Sequence, residues 1–264
     1  MFDYHMHSKY SCDGREEITT LCLQSIRRGL TEIAITDHYE LFLDHTREDV
    51  LDFENLYKDI LQARELYEDK VRIKFGLELG QAHFNLPLAT QVLSKYPFDF
   101  IIGSVHNLDD NSDMAFVDYS ATPISVLFDN YLDALINMVQ QADFDVVGHI
   151  TYPIRYAFAS KGVYPNWTPF KPKLEYLYKE LIKRDKGIEI NCSGFFQALK
   201  RPMPDLELLT FYKECGGKIL TLGCDSHVKR HVGSTVSQGL EVIKAAGFCE
   251  LASYSDRVPS LVKF

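Results

Sequence analysis

Residues 98–106 read FDFIIGSVH, a short and almost continuous apolar run that ends in a histidine. Six further runs have the same form: FDYHMH (2–7), EIAITDH (32–38), IKFGLELG (73–80), FDVVGHI (144–150), GIEINCSG (187–194) and KILTLGCDSH (218–227). Continuous apolar sequence of this kind is typical of parallel strands that are covered on both faces. The seven runs therefore predict seven strands of a mainly parallel sheet.

Amphipathic segments separate these runs. Residues 16–29 end in Arg-Arg-Gly, a common helix C-terminus with its glycine stop, and residues 52–69 carry apolar side chains at helical spacing. Segments 123–142, 172–186, 205–215 and 236–246 have similar patterns. Alternating strands and helices predict an α/β protein, built either as an open doubly wound sheet or as a closed barrel. No GxGxxG or P-loop motif follows a strand, so the standard nucleotide-binding folds lack support.

The sequence also predicts how the chain is organised. Its 264 residues suit one (β/α) barrel, and without an internal repeat or linker we expect a single domain over 1–264. Residues 151–171, which hold the only tryptophan, predict an irregular loop over the functional face. The six cysteines are scattered without a CxxC pair, which indicates reduced thiols in a cytoplasmic protein. We do not expect Cys12 or Cys224 to bind metal, although both lie beside candidate ligands.

Charge and hydropathy exclude several classes of partner. The formal net charge is −9, which argues against a nucleic acid polymer because phosphate backbones need a basic surface. An anionic small molecule remains possible, since bound cations would change the local field. The chain lacks a signal-peptide pattern and lacks an apolar stretch of roughly 20 residues, so no membrane partner is expected. The sequence does not predict the oligomeric state.

Polar side chains lie at the ends of the predicted strands, and six of the nine histidines are among them. These residues are His5, His7, His38, Glu78, His106, His149, Asn191, Asp225 and His227. In a parallel barrel these ends converge on one face, and residues two apart in a strand project to the same side. A single histidine at a strand end is more often an ordinary polar residue, but the convergence of six favours a metal site. The six histidines, Glu78, Asp225 and Asp13 offer about nine ligand groups, more than the four of one tetrahedral metal, so two or three metals sharing a carboxylate are predicted.

Six motifs then occur in a fixed order: HMHSKYSCDG (5–14), TDH (36–38), GLELG (76–80), SVH (104–106), VVGHI (146–150) and CDSH (224–227). In this combination the chain resembles the PHP (polymerase and histidinol phosphatase) family from residue 2 to about residue 235. Within the family it looks most like the bacterial histidinol-phosphate phosphatases. The resemblance implies a distorted (β/α)7 barrel with a trinuclear metal centre, and so favours the barrel over the open sheet.

The resemblance also implies a set of ligands for each metal. The first metal would be held by His5, His7, Glu78 and Asp225, the second by Glu78, His106 and His149, and the third by Asp13, His38 and His227. Some relatives have histidine in place of Asp13, and an aspartate there is a harder ligand. Zinc, manganese and iron therefore all remain possible.

The activity implied by the resemblance is hydrolysis of L-histidinol phosphate to L-histidinol and phosphate, by attack of a metal-bridging hydroxide. Asp225, His38 and His227 are the expected catalytic residues. Arg155 and Arg201 follow strands on the catalytic side and are predicted to bind phosphate, although each is also explained by a surface salt bridge.

The sequence leaves the role of one residue and the function of the chain open. Asn191 either binds substrate or forms a hydrogen bond to a neighbouring strand. The enzyme is either a histidinol phosphatase or a PHP-family phosphoesterase that acts on nucleotides or short oligonucleotides. A metal-binding module without chemistry is the third reading, but such modules often lack some ligands, and here every ligand position is filled.

Overall fold

The first eight strands form one parallel sheet that curls into a nearly closed barrel. The structure, a computed structural model, describes residues 1–43, 51–109 and 112–264. The strands are Phe2–Asp3 (β1), Glu32–Ile35 (β2), His38–Glu40 (β3), Arg72–Gly80 (β4), Phe100–Ser104 (β5), Val146–Val147 (β6), Gly187–Asn191 (β7) and Leu220–Gly223 (β8). Their order around the barrel is β1-β2-β4-β5-β6-β7-β8, and β3 continues the path of β2 along β4.

Hydrogen bonds between the first and last strands close the barrel. The backbone N–H of Tyr4 donates to the carbonyl of Leu222 at 2.8 Å, and that of His7 donates to the carbonyl of Ser226 at 2.9 Å. The seven-stranded parallel barrel is thereby confirmed, and the open sheet is excluded. All strands point the same way, so the polar residues at their carboxyl ends meet at one end of the barrel.

The described residues contain eight α-helices, each with one buried face. They are Ile18–Arg27 (α1), Phe53–Leu66 (α2), Leu86–Lys95 (α3), Ile124–Gln141 (α4), Tyr152–Lys161 (α5), Lys171–Lys183 (α6), Leu206–Glu214 (α7) and Val236–Ala245 (α8). The six predicted helices are confirmed to within a few residues. Local chemistry explains their starts: the Asp52 side chain accepts from Asn55 N–H before α2. None of these helices has the length and apolar character that crossing a membrane requires.

Residues 151–171 are not the irregular loop that the sequence predicted. They begin with α5, in which Pro153 occupies a first-turn position where its missing N–H costs nothing. The helix ends at Gly162, whose φ of 65° is accessible to glycine without strain. Trp167 is buried, packs against Phe128 and donates its indole N–H to Asp205 at 3.2 Å, so it belongs to the core.

A C-terminal hairpin, which the sequence analysis did not predict, covers the opposite end of the barrel. It consists of Glu250–Ser255 (β9) and Val258–Lys263 (β10), paired antiparallel. The N–H of Tyr254 donates to the Tyr4 hydroxyl at 2.9 Å, and the Arg257 guanidinium binds Asp145 at 3.0 Å. One main cluster of buried apolar side chains runs from β1 to this hairpin, which fits a single domain. None of the six cysteines forms a disulfide within the part of the chain that the structure describes.

Candidate metal centre

A first group of ligand atoms gathers around one oxygen of Glu78. His5 Nε2 lies 3.0 Å from Glu78 Oε2, and His7 Nε2 lies 3.5 Å from the same oxygen. His7 Nε2 is also 3.4 Å from Asp225 Oδ1. Because His5 and His7 are two residues apart in extended chain, both rings project into the same space. These four side chains are all buried, and we call them group one.

A second group forms around the other oxygen of Glu78. His149 Nε2 lies 2.9 Å from Glu78 Oε1, and His106 Nε2 lies 3.4 Å from it. The two Nε2 atoms are 3.2 Å apart, and Ser104 donates its hydroxyl to the same carboxylate oxygen. We call Glu78, His106 and His149 group two. Since each oxygen of Glu78 faces a different group, its carboxylate connects them.

The third group lies nearer the mouth of the barrel and consists of Asp13, His38 and His227. Asp13 Oδ2 is 2.9 Å from His227 Nε2, and Asp13 Oδ1 is 3.8 Å from His38 Nε2. The rings of His38 and His227 each stack against the His7 ring, with centroids 4.2 and 4.1 Å away, and their own centroids are 5.7 Å apart. Group three therefore adjoins group one.

The donor atoms in these groups fit divalent metal ions. His7 Nε2 is buried and has no hydrogen-bond partner, a condition that normally costs free energy. The Nε2 atoms of His106 and His149 face each other beside a carboxylate. Metal–nitrogen bonds are about 2.0–2.1 Å long, so ring nitrogens and carboxylate oxygens that lie within 4.8 Å of one another can share one ion. Imidazole and carboxylate together suit zinc, manganese and iron.

A hydrogen-bonded loop presents Asp13 to group three. The buried Asp37 carboxylate accepts from the Ser8 N–H at 2.6 Å, the Ser8 hydroxyl at 2.7 Å and the Ser11 hydroxyl at 2.8 Å. Gly14 closes the loop where a Cβ would collide with the Ser8 carbonyl. Asp37 thus fixes the path of residues 8–14 through hydrogen bonds from Ser8 and Ser11.

Two carboxylates that were not predicted from the sequence contact the ligand histidines. Glu40 Oε1 lies 2.9 Å from His106 Nδ1 and 3.3 Å from His38 Nδ1. Glu189 Oε1 lies 2.6 Å from His5 Nδ1. A signal for both was available, because Glu40 follows His38 by two residues and Glu189 precedes Asn191 by two. The alternation that paired His5 with His7 places each glutamate on the ligand side of its strand.

A cavity of about 530 Å³ opens above the ligand groups. Its lining includes Cys12, Asp13, His38, Glu40, Phe42, Glu78, His106, Asn107, Asp113, Ala115, Phe116, His149, Tyr152, Arg155, Tyr156, Asp225 and His227. The Arg155 guanidinium lies 4.2 Å from the Tyr152 ring centre and 4.7 Å from that of Tyr156, and its NH1 is 3.7 Å from Asp225 Oδ2. Arg155 therefore points a positive charge at the ligand groups from α5.

The structure brings together all nine predicted ligands and Arg155, but it places the other two predicted substrate residues differently. Asn191 is buried, and its amide donates to Glu189 and Asp225 while accepting from Ser193. Arg201 stacks on the Tyr164 ring at 4.0 Å, close to Asp205. Neither residue lines the described part of the cavity, so substrate contacts for Asn191 and Arg201 stay predictions.

The carboxylates around the histidines affect proton binding. Burial opposes protonation of His106, but the negative charges of Glu40 and Glu78 outweigh it and raise the pKa of His106 to about 9. In the same way, burial opposes protonation of His38, and Glu78 and Glu40 raise its pKa well above the usual value. In the metal-free protein the neighbouring carboxylates therefore favour the protonated form of both imidazoles.

We expect metal binding at pH 7 to release protons, because an imidazole nitrogen must lose its proton before it binds a metal. The release should shrink as pH rises through about 9, the pKa of His106, and metal affinity should fall as pH is lowered. Titration calorimetry with zinc in two buffers of different ionisation enthalpy measures the number of protons. Equal heats in both buffers at pH 7 would show that these histidines are already neutral.

A barrel with this concentration of histidine and carboxylate at one end belongs to the metal-binding class of (β/α) proteins. A family model of the PHP domain matches residues 3–193. The chain belongs to the PHP family, and the predicted membership is confirmed.

Individual relatives match over almost the whole chain. Histidinol-phosphatase of Lactococcus lactis subsp. lactis (strain IL1403) is 30% identical over 263 residues, covering 96% of this chain and 94% of the relative. A crystal structure of histidinol phosphate phosphatase from that organism, in complex with zinc, L-histidinol and phosphate, superposes with a TM-score of 0.83 at 28% identity, covering 98% of both chains. A structure from Listeria monocytogenes shares the fold at 18% identity, with a TM-score of 0.78, covering 90% of this chain and 99% of the other.

Proposed function

We propose that the protein is a metal-dependent phosphomonoesterase that hydrolyses L-histidinol phosphate to L-histidinol and phosphate. The observation that carries the proposal is the convergence of the nine predicted ligand side chains and Arg155 at one end of a PHP barrel. Full-length similarity to a histidinol-phosphatase supports this choice of substrate. The reaction class follows from the site, and the particular leaving group follows from the relatives and the cavity.

We propose three divalent ions, of zinc, manganese or iron, held by the three ligand groups with Glu78 shared between two of them. When bound, such ions lower the pKa of water towards neutrality and neutralise negative charge on phosphoryl oxygens. Arg155 would bind a phosphoryl oxygen through its planar guanidinium, which the rings of Tyr152 and Tyr156 hold in place. The guanidinium then keeps the phosphorus oriented while the bond to the leaving oxygen breaks.

Asp225 is proposed to accept the proton of the attacking water. Its Oδ1 faces the histidines of group one, while its Oδ2 faces Arg155 NH1 at 3.7 Å and accepts from Asn191. Asp225 thus lies between the ligand groups and the phosphate-binding guanidinium. Catalytic roles for His38 and His227, both at the cavity wall, stay predictions, as does a cytoplasmic location.

The charge of the cavity favours histidinol over a nucleotide as the leaving group. Among the described residues, five carboxylates line it: Asp13, Glu40, Glu78 and Asp225, which face the ligand histidines, and Asp113, which lies near the exposed ring of Phe116. Histidinol carries an ammonium group and an imidazole, which suit carboxylates and an aromatic face respectively. A nucleotide would offer its base to the same aromatic rings, but it has no ammonium group for the carboxylates.

Steady-state kinetics of the metal-loaded enzyme test this substrate choice. We expect kcat/KM for histidinol phosphate to exceed that for nucleoside monophosphates by at least about 100-fold, because only histidinol phosphate carries a cation that can pair with the carboxylates of the cavity. p-Nitrophenyl phosphate serves as the reference for phosphatase activity without leaving-group recognition. A higher kcat/KM for nucleotides would favour the nucleotide phosphoesterase instead.

A further inference from the structure

Glu189 occupies a fully enclosed position beneath the ligand groups. It lies on β7, its side chain is 1% exposed, and Oε1 is 2.6 Å from His5 Nδ1. Its other oxygen, Oε2, accepts from the backbone N–H of His149 at 2.9 Å and from the Asn191 amide at 3.2 Å. One carboxylate therefore contacts a histidine of group one and the backbone of a histidine of group two.

The neighbouring backbone is shaped to admit this carboxylate. A Cβ at Gly223 would collide with the Cβ of His5 and would lie 2.5 Å from Glu189 Oε1. Glycine at position 223 thus lets β8 approach both side chains closely. Any larger residue at position 223 would push the side chains of Glu189 and His5 apart, so their contact depends on this glycine.

The backbone of His149 also depends on an outside partner. His149 has a φ of 20°, which residues other than glycine rarely adopt, and such conformations persist only where surrounding contacts hold them. The hydrogen bond from its N–H to Glu189 Oε2 is a contact of this kind. This bond orients the peptide from which the His149 ring reaches Glu78 Oε1.

We propose that Glu189 is a positioning residue that couples two ligand groups of the metal centre. Oε1 accepts the His5 Nδ1 proton, which leaves Nε2 free to bind a metal and makes the ring a stronger ligand. Oε2 fixes the His149 backbone, so the same side chain sets the ligand geometry on both sides of Glu78. The role rests on the metal centre proposed above and extends it to a residue outside the ligand set.

Glu189→Gln separates this role from simple space filling. A glutamine has nearly the same shape but offers one oxygen acceptor, whereas His5 and His149 each donate to a different oxygen of Glu189. One of the two bonds must be lost. Glu189→Asp keeps both acceptors on a shorter side chain and serves as the conservative variant. Asp145→Asn is the matched control, because Asp145 is a buried carboxylate that binds Arg257 away from the ligand groups.

The experiment measures zinc bound per chain in buffers of fixed free zinc, together with the thermal midpoint of each metal-free protein. We expect Glu189→Gln to weaken zinc binding roughly 10- to 100-fold at the sites of groups one and two, with group three least affected. Glu189→Asp should recover part of that loss. Asp145→Asn should lower the thermal midpoint without changing zinc affinity.

Zinc binding by Glu189→Gln equal to that of the unchanged protein would overturn the role of Glu189 while leaving the metal centre intact. If Glu189→Gln does not fold, Gly223→Ala, whose Cβ would push His5 and Glu189 apart, takes its place, and unchanged zinc affinity in that variant would overturn the role equally. Absence of zinc from the unchanged protein would instead overturn the metal centre, and the role of Glu189 with it.

Discussion

Glu78→Gln is expected to lower kcat/KM by roughly 10⁴-fold or more, the scale found when a central catalytic group is removed. Both oxygens of Glu78 are engaged, Oε2 with His5, His7 and His38 and Oε1 with His106 and His149. Loss of its negative charge leaves five imidazoles close together without their shared counter-charge. The amide also supplies one oxygen where two are needed to connect groups one and two.

The measurement is kcat/KM with histidinol phosphate after zinc loading, accompanied by the zinc content of the variant. Glu32→Gln provides the control, because Glu32 is an equally buried carboxylate that binds Arg72 and Ser253 near the N-terminal end of the barrel. We expect this control to lose stability but to keep its activity while folded. More than about a tenth of the original kcat/KM in Glu78→Gln would exclude a bridging role for Glu78.

Arg155→Ala is expected to lower kcat/KM by about 10²- to 10³-fold while leaving zinc content unchanged, because it removes a donor to the phosphoryl group but no metal ligand. The surroundings of the Arg155 side chain support this role. It is largely buried, stacks on two tyrosines and faces Asp225, so its guanidinium has lost most of its hydration and can bind an anionic phosphoryl oxygen in the cavity. Arg155→Lys keeps the charge but loses the planar fork of the guanidinium, so its kcat/KM should lie between that of the unchanged protein and that of Arg155→Ala.

Arg201→Ala is the matched comparison, since the sequence predicted the same phosphate contact for both arginines. Arg201 stacks on Tyr164 outside the described cavity lining, and a small change in kcat/KM is expected if it remains there. A loss equal to that of Arg155→Ala would establish Arg201 as a second phosphate ligand. Unchanged kinetics in Arg155→Ala would remove Arg155 from the phosphate site.

The convergence of the ligand residues at one end of the barrel was predictable from the sequence because strand periodicity and fold geometry point in the same direction, whereas their division into three groups was implied by the family resemblance. HMH places two side chains on one side of an extended chain, and parallel strands bring their ends to one face. The direction of the Asp225 side chain does not follow from this alternation, because its φ is 52°. The same strand alternation applies to Glu40, two residues after His38, and to Glu189, two residues before Asn191. Their contact with histidine Nδ1 atoms depends on side-chain packing that spacing alone does not determine.

Other elements were missed because their patterns have two explanations. Aromatics and prolines in residues 151–171 suit a loop, yet Pro153 fits a helix start and Trp167 fits a core between α4 and Asp205. The C-terminal hairpin was missed for a different reason. Every residue of β10 is exposed, so the strand lacks the alternation of buried and exposed residues that identifies one in a sequence. Its position becomes evident only from contacts with β1 and Asp145.

The most direct test of the central claim is a titration of metal-free protein with zinc, manganese or iron that follows bound metal and histidinol phosphate hydrolysis together. We expect about three ions per chain at saturation, activity that rises with occupancy of groups one and two, and loss of activity on addition of a chelator. Full hydrolysis by protein that retains no metal in the presence of chelator would rule out a metal-dependent reaction.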